Sequence, residues 1–323
     1  MSVQRVSLLA LLDPRLSESR PASIRLQDSL LETGTVLYTD HPVDRELVGH
    51  VFTLGQQFFS LPIEVKQRYE FPEQGRQRGY TSFGVEHAKD NPDRPDLKEF
   101  WHQGPQLPDG HRYYKDYGHN VLVKEVPEFF KALNLLHTAY SGVAHGHVLP
   151  TISVLLNKDR EWLSRETKDG DDVLRLIRYL AQIHCQGMDG CEPAAEHQDI
   201  DLGTLIHARR GGGLVLTLKD GSKLTLETEG GELIFQTGDM LQAITGYAFP
   251  SITHMVKRQK DPTKETMSAP FFIHPNPEFT IEVLDGFKDQ PRAGEVKRAS
   301  SRRFLFKRLI EIGIHPGPNP YPF

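Results

Sequence analysis

The sequence predicts a mainly β core of sandwich or jelly-roll type with helices at both ends. Three observations predict it. From Val173 to about Leu284 the chain breaks into short β-prone runs separated by Gly, Asp and Pro. The residues before Val173 hold longer stretches with helical spacing, and the tail from Ser300 returns to that spacing. About eight short strands joined by turns are what a two-sheet β domain requires.

Thr35 to Tyr38 is a short β-branched and aromatic run, closed by the turn-like Asp40-His41-Pro42. Asp44 to Phe59 is predicted helical, because Leu47, Val51, Leu54 and Phe58 recur at steps of three and four. Pro62 opens a second short helix through Lys66 to Tyr69, since proline is tolerated in a first helical turn. Residues 86 to 120 are rich in Pro, Asp and Gly and read mainly as loop. Glu125 to Leu156 reads as one long helix or two. The candidate strands of the core are 173–182, 202–207, 213–218, 223–226, 232–236, 240–244, 251–256 and 268–273. Phe304, Leu305, Leu309 and Ile312 give Ser300 to Ile314 one apolar face. No repeat, low-complexity block or linker interrupts the chain. It therefore reads as one domain over 1–323: an α/β region (1–172) packed on a β core (173–285), with a helical tail (286–323).

Bulk properties exclude several classes. A formal net charge of -5 argues against a nucleic-acid surface, which needs a basic face. No apolar run approaches the ~18 residues of a membrane span. The N-terminal apolar stretch is interrupted by Asp13 and Pro14 too early for a signal peptide. Only Cys185 and Cys191 occur, so a disulfide framework is not expected, and a reducing cytoplasm is. The spacing of those two cysteines forms no structural zinc pattern. Gly211-Gly212-Gly213 lacks the Lys-Ser/Thr and helix of a phosphate loop and reads as a turn. The basic stretch Lys297 to Lys307 reads as a solvated helix face.

The sharpest chemical feature is His197-Gln198-Asp199. In extended chain, residues i and i+2 share a face, so H-x-D presents an imidazole and a carboxylate side by side. The tripeptide alone also suits two surface polar residues in a loop. His254, at the end of a candidate strand, supplies a third ligand of the right type. Two histidines and one carboxylate on one face leave about three positions open for oxygen and an organic co-ligand, as in non-haem iron(II) sites.

The surroundings resemble the iron(II)/2-oxoglutarate-dependent dioxygenases, in their isopenicillin N synthase-like branch. Phe58-Phe59-Ser60-Leu61-Pro62 followed by Glu64, Lys66 and Tyr69 is similar to the FF-x-LP-x-E-x-K-x-x-Y run of that family. Gly79-Tyr80 and Asp96-Leu97-Lys98-Glu99-Phe100 are similar to its GY and DLKE-F segments. Residues 174–179 (LRLIRY) resemble the strand leading to the first ligands. Gly238-Asp239-Met240-Leu241 resembles the GD-x-L turn before the second histidine, and Ser268-Ala269-Pro270-Phe271-Phe272 the S-x-x-FF strand. The resemblance runs from about residue 30 to 315. It implies a double-stranded β-helix with catalytic metal ligands His197, Asp199 and His254. It also implies Fe(II), O2 and 2-oxoglutarate, and oxidation of a small-molecule substrate through a ferryl species. Tyr80 to Phe83 and the C-terminal helix with Phe304 and Phe306 would line the substrate site.

One position departs from that pattern. The family binds the far carboxylate of its oxo acid with an R-x-S pair. Here Ser268 is present but Thr266 stands where arginine is expected, and Thr lacks the bidentate cationic fork. Tyr179 matches a tyrosine near the co-substrate. Alternation places Arg175 on the face of Tyr179 and Arg258 on the face of His254, and Arg209 and Arg210 follow the His197 strand. Each is a candidate replacement cation, although surface arginines are usually solvated. An oxidase or cyclase that uses no oxo acid, and a non-catalytic binding protein on the same fold, are the alternatives. A cupin-like metalloenzyme would show an H-x-H cluster, which the region around 197 lacks.

Overall fold

A computed structural model describes residues 2–87, 94–185, 188, 191–209, 213–259 and 261–311. The first half contains β1 (Gln4–Ser7), α1 (Leu8–Leu12), α2 (Ser19–Thr33), β2 (Thr35–Thr39), α3 (Arg45–Phe59), α4 (Ile63–Lys66), β3 (Gly79–Thr81) and β4 (Lys98–Gln103). Then come α5 (Pro127–Val143), one π turn (Ala144–Val148), α6 (Leu149–Leu155) and α7 (Trp162–Glu166). The second half holds β5 (Val173–Tyr179), β6 (Ala194–His197), β7 (Gly203–His207), β8 (Leu214–Thr217), β9 (Lys223–Thr225), β10 (Leu233–Thr237), α8 (Asp239–Ile244), β11 (Thr253–Val256), β12 (Thr266–Ser268), β13 (Phe271–Ile273), β14 (Thr280–Ile281), β15 (Ala299–Ser300) and α9 (Ser301–Glu311).

Two sheets face each other as a double-stranded β-helix. The larger runs β1-β2-β10-β7-β13-β5-β4-β3, with β12 also on β5; the smaller runs β6-β11-β8-β9. Among the described residues only β1 and β2 pair in parallel. β12 and β13 lie along successive stretches of β5, Ile177–Tyr179 and Val173–Leu174, separated at Pro270. That proline has no N–H to give a ladder, but its carbonyl accepts from Arg175 N at 2.8 Å.

Asp44 caps α3 by accepting from Glu46 N, as a side-chain N-cap should. Its buried face carries Val51, Leu54 and Phe58 against the larger sheet. Phe58 touches Trp101 of β4 edge to face at 5.0 Å and stacks on Phe129 of α5 at 5.5 Å. Gly55 permits this approach: a Cβ there would lie 2.5 Å from Leu176 Cδ2 of β5. Below this apolar layer sits a buried ionic knot. Glu99 accepts from Lys66 Nζ (2.6 Å), Arg178 Nη1 (2.9 Å) and the Tyr80 hydroxyl. Arg178 also pairs with Glu265 at 2.6 Å, and Lys66 and Arg178 both donate to the Phe59 carbonyl at 3.1 Å. Charges and lone pairs balance, which makes such burial tolerable and loss of one member costly. The family-like residues Phe58, Phe59, Lys66, Tyr80 and Glu99 thus fasten α3 and β3 to the strands that carry the site.

Several expectations need correction. Residues 240–244, read as a strand, belong to helix α8. Its apolar run is too short for period to separate strand from helix, whereas Asp239 in the first turn favours a helix electrostatically. Residues 86–120 are not mainly loop at their centre: β4 lies there with all six residues buried. The strand read over 268–273 is two, β12 and β13, divided at Ala269-Pro270. The reading of 125–156 as one helix or two holds in its second form, two helices joined by the π turn; Pro150 cannot donate to the preceding turn, so the ladder shifts register there. The tail helix ends at Glu311 among the described residues; Ile312 and Ile314 lie outside them. Among the described residues no helix is long and apolar enough to cross a membrane.

Candidate active site: a metal triad between two cavities

His197 ends β6, and His254 lies on β11. These strands pair antiparallel with His197 opposite His254. Cross-strand pairing therefore sets the two imidazoles together, with ring centroids 4.4 Å apart. Asp199 follows two residues after His197, and its Oδ1 is 3.8 Å from His197 Nε2 and 3.9 Å from His254 Nε2. One donor atom from each residue falls within 4.8 Å of the others, the only such His/Cys/Asp/Glu group among the described residues.

Both imidazoles are held in one tautomer. His197 Nδ1 lies 2.7 Å from the Ala195 carbonyl, and His254 Nδ1 lies 3.1 Å from the Ile252 carbonyl. Only an N–H can face a carbonyl, so each Nδ1 carries the proton and each Nε2 lone pair faces Asp199. Burial, then the neighbouring His197, pushes His254 down to about 4, so it is neutral and ready to ligate near pH 7. Two imidazole nitrogens and one carboxylate oxygen suit a non-haem iron(II) ion.

Asp199 is fixed from behind. Its carbonyl accepts from Asp239 N at 2.8 Å, and its Oδ2 accepts from the Thr204 hydroxyl. That hydroxyl also lies 3.0 Å from Asp201 Oδ2, yet it has one proton. Burial, then the Asp199 charge, pushes the Asp201 carboxyl well above its usual range. Asp201 therefore keeps its proton and donates to Thr204, which donates to Asp199. Gly238 admits this arrangement: a Cβ there would lie 2.2 Å from the carbonyl and Oδ1 of Asp201.

Two cavities meet at the triad, and His197, Asp199, Arg175 and Phe272 line both. The inner one, of about 360 Å³, lies between the sheets and includes Tyr179, Thr204, Ile206, Thr266 and Ser268. The Ser268 hydroxyl donates to Tyr179 Oη at 3.2 Å. The outer one, of about 340 Å³, is closed by Gln77, His102, His274 and, from α9, Leu305, Arg308 and Leu309.

Arg175 stands in the wall between them. Its guanidinium lies 4.3 Å from the Phe100 ring centroid and 5.1 Å from that of Phe272. Nη1 reaches Glu86 at 3.0 Å, and Nε donates to His102 Nε2 at 2.6 Å. His102 Nδ1 lies 2.7 Å from the Arg76 carbonyl, so that nitrogen carries the proton and Nε2 accepts. Burial, then Arg175, holds His102 well below its ordinary value, consistent with a neutral ring. Burial alone would raise the Glu86 carboxyl, but Arg175 and Lys98 outweigh it and bring it to about 2.

Of the residues singled out in the sequence, the triad, Tyr179, Arg175, Thr266, Ser268 and Arg209 converge on these cavities. Arg258 does not. It is absent from both linings and donates from Nε to the Cys191 carbonyl at 3.0 Å and from Nη2 to that of Met188 at 3.0 Å. Its strand ends at Val256, so the alternation that was to carry it to the His254 face stops short. Arg210 lies outside the described residues. Tyr80 faces Glu99, Phe83 packs with Leu97 and the cysteines, and Phe304 joins the main core, so Leu305, Arg308 and Leu309 line the outer cavity instead. Glu86, His102, Thr204, Asp201 and His274 were not singled out, and Phe272 only as part of a strand motif. Asp201 and Thr204 were within reach, a few positions past a ligand in the next turn and strand, but Glu86 and His102 depend on tertiary placement.

A double-stranded β-helix with this donor set defines a mononuclear non-haem metal oxygenase. Comparison with known proteins agrees. Residues 170–275 match the model of the 2OG-Fe(II) oxygenase superfamily, and residues 6–125 match that of the N-terminal region of the non-haem dioxygenase in morphine synthesis. A 2OG-Fe(II) oxygenase family protein from Caulobacter crescentus is similar at 30% identity and TM-score 0.84, over 96% of this chain and 99% of that one. A 2-oxoglutarate-Fe(II) type oxidoreductase from Aspergillus fumigatus is 26% identical over 82% of this chain and 80% of its own length. A Neurospora crassa protein solved at full length in complex with alpha-KG shares the fold, with TM-score 0.81 at 21% identity and 95% coverage of both chains. The chain belongs to the 2OG-Fe(II) oxygenase superfamily. It is an Fe(II)- and 2-oxoglutarate-dependent oxidoreductase.

Proposed function

We propose that His197, Asp199 and His254 ligate the iron, that the inner cavity takes 2-oxoglutarate, and that the outer cavity takes a small, polar, uncharged or cationic substrate. Bound Fe(II) supplies the oxygen activation that amino-acid side chains cannot. The chain holds both imidazoles in ligating tautomers and sets the Asp199 carboxylate beside them between the two sheets.

The observation that carries the substrate reading is the charge of the outer lining. Glu86, Asp96, Glu196, Asp199 and Asp201 face it, against Arg175 and Arg308 as cations. These charges are already met: Glu86 by Arg175 and Lys98, Asp96 by Lys98, Glu196 by Lys223, and Arg308 by Asp239 at 3.5 Å, which leaves no free cation among the described lining residues. An anionic substrate would find no free cation on that wall, whereas a neutral molecule with hydrogen-bonding edges needs none. The Phe272 ring offers such a molecule a flat apolar surface. The structures of the Neurospora crassa protein in complex with thymine and with 5-formyluracil support the reading, as this fold accommodates molecules of that kind.

The test is succinate formation coupled to turnover, across a panel of neutral heterocycles and matched carboxylic acids. Coupled turnover confined to neutral or cationic members is expected. Efficient coupling only with carboxylates would overturn the substrate reading while leaving the metal assignment standing.

A further inference from the structure

The inner cavity has the chemistry of an anion site, yet Thr266 stands where the resemblance predicts its arginine. Four cations line it: Lys98, Arg175, Arg209 and Lys264, against the single carboxylate of Asp199. Two of them are already matched. Lys98 Nζ lies 2.8 Å from Asp96 and 3.5 Å from Glu86, and Arg175 lies 3.0 Å from Glu86. Arg209 and Lys264 form no ion pair with any carboxylate among the described residues.

Arg209 differs from Lys264 in being anchored. Its Nη1 donates to the Met267 carbonyl at 3.1 Å, on β12 between Thr266 and Ser268. Thr266 and Ser268 both line the inner cavity, and Ser268 carries the hydroxyl bonded to Tyr179. A guanidinium from the end of β7 thus rests against the strand segment from which an arginine at position 266 would project. One Nη1 proton is engaged, while Nη2 and Nε keep the planar fork that suits a carboxylate. Arg209 is exposed, so its charge is solvated until a ligand arrives and no unpaired cation is buried.

We infer that Arg209 is the residue that clamps the far carboxylate of 2-oxoglutarate, beside the Tyr179–Ser268 hydroxyl pair, in place of an arginine at 266. The inference rests on the assignment of the inner cavity to the oxo acid.

The test uses the full chain loaded with Fe(II) without oxygen, titrated with 2-oxoglutarate and with pyruvate, which has the chelating end but no far carboxylate. Binding is read from the charge-transfer absorption of the chelate. Arg209→Ala is expected to weaken 2-oxoglutarate about 10- to 100-fold, the loss of a charged hydrogen-bond pair, while pyruvate affinity stays within about twofold. Lys264→Ala is expected to change both by less than about threefold. Arg209→Ala/Thr266→Arg is expected to regain 2-oxoglutarate binding, which a merely structural role for Arg209 would not predict. Wild-type-like 2-oxoglutarate affinity in Arg209→Ala, equal losses for both acids, or a loss carried by Lys264→Ala would overturn the inference. A wild-type protein that binds no 2-oxoglutarate would instead remove the cavity assignment beneath it.

Discussion

The two cavities share four lining residues, His197 and Asp199 of the triad among them, yet their charges are arranged differently. In the outer cavity Arg175 and Arg308 are matched by Glu86 and Asp239, and Asp96 by Lys98, so no cation there is free among the described residues. In the inner cavity Arg209 and Lys264 lack carboxylate partners among the described residues, and among those residues the only lining acid is Asp199, a proposed metal ligand. A matched charge positions neighbours; an unmatched one awaits a ligand. On the proposed reading, this difference is the reason for setting a dianionic co-substrate on one side of the triad and an uncharged or cationic substrate on the other.

The largest effect should come from removing the boundary between the cavities. Asp199→Ala takes away the only carboxylate among the three donors, so tight iron binding and turnover should both vanish by metal analysis and succinate assay. A full equivalent of tightly bound iron in that variant would break the assignment. Thr204→Val, which removes the hydroxyl holding Asp199, should weaken iron about 10- to 100-fold by competition with a chelator, without changing the fold by circular dichroism. Arg175→Gln leaves Glu86 with Lys98 as its only cationic partner and should raise the substrate KM about tenfold, more than it raises that of 2-oxoglutarate. The reverse ranking would mean that Arg175 serves the inner side.

The smallest effect is on stability against pH. His254 is pushed down to about 4 when folded and titrates near 6.5 when unfolded, so the unfolded chain binds the proton more readily. Its contribution is fully present above about pH 6.5 and is lost as pH falls toward 4. Asp239, raised by burial to about 6, acts in the opposite sense over part of that range. The metal-free wild type should therefore lose melting temperature, between pH 6.5 and 4, relative to His254→Gln. Parallel profiles for the two proteins would contradict the low value for His254.

The triad was legible because its ligands depend on strand geometry: i and i+2 for His197 and Asp199, and a second strand for His254. The strand that carries His197 was not legible, since Ala194-Ala195-Glu196-His197 has no β-branched residue. Lys98–Gln103 was hidden for a related reason. Its charged residues look like solvent-facing loop, but Lys98 and Glu99 are buried because Asp96, Lys66 and Arg178 arrive to pair them. Thr266 was visible as a departure, whereas what replaces its charge depends on where the end of β7 meets β12. Local pattern reports which residues share a strand face; it does not report which carboxylate reaches which cation.

The most direct test is the structure of crystals grown without oxygen, with Mn(II) in place of iron and 2-oxoglutarate present. The account predicts the oxo acid in the inner cavity, its keto acid end on the metal between His197, Asp199 and His254, and its far carboxylate at Tyr179, Ser268 and Arg209. The outer cavity should remain open to substrate. An oxo acid lying in the outer cavity, against Glu86 and Arg308, would contradict it.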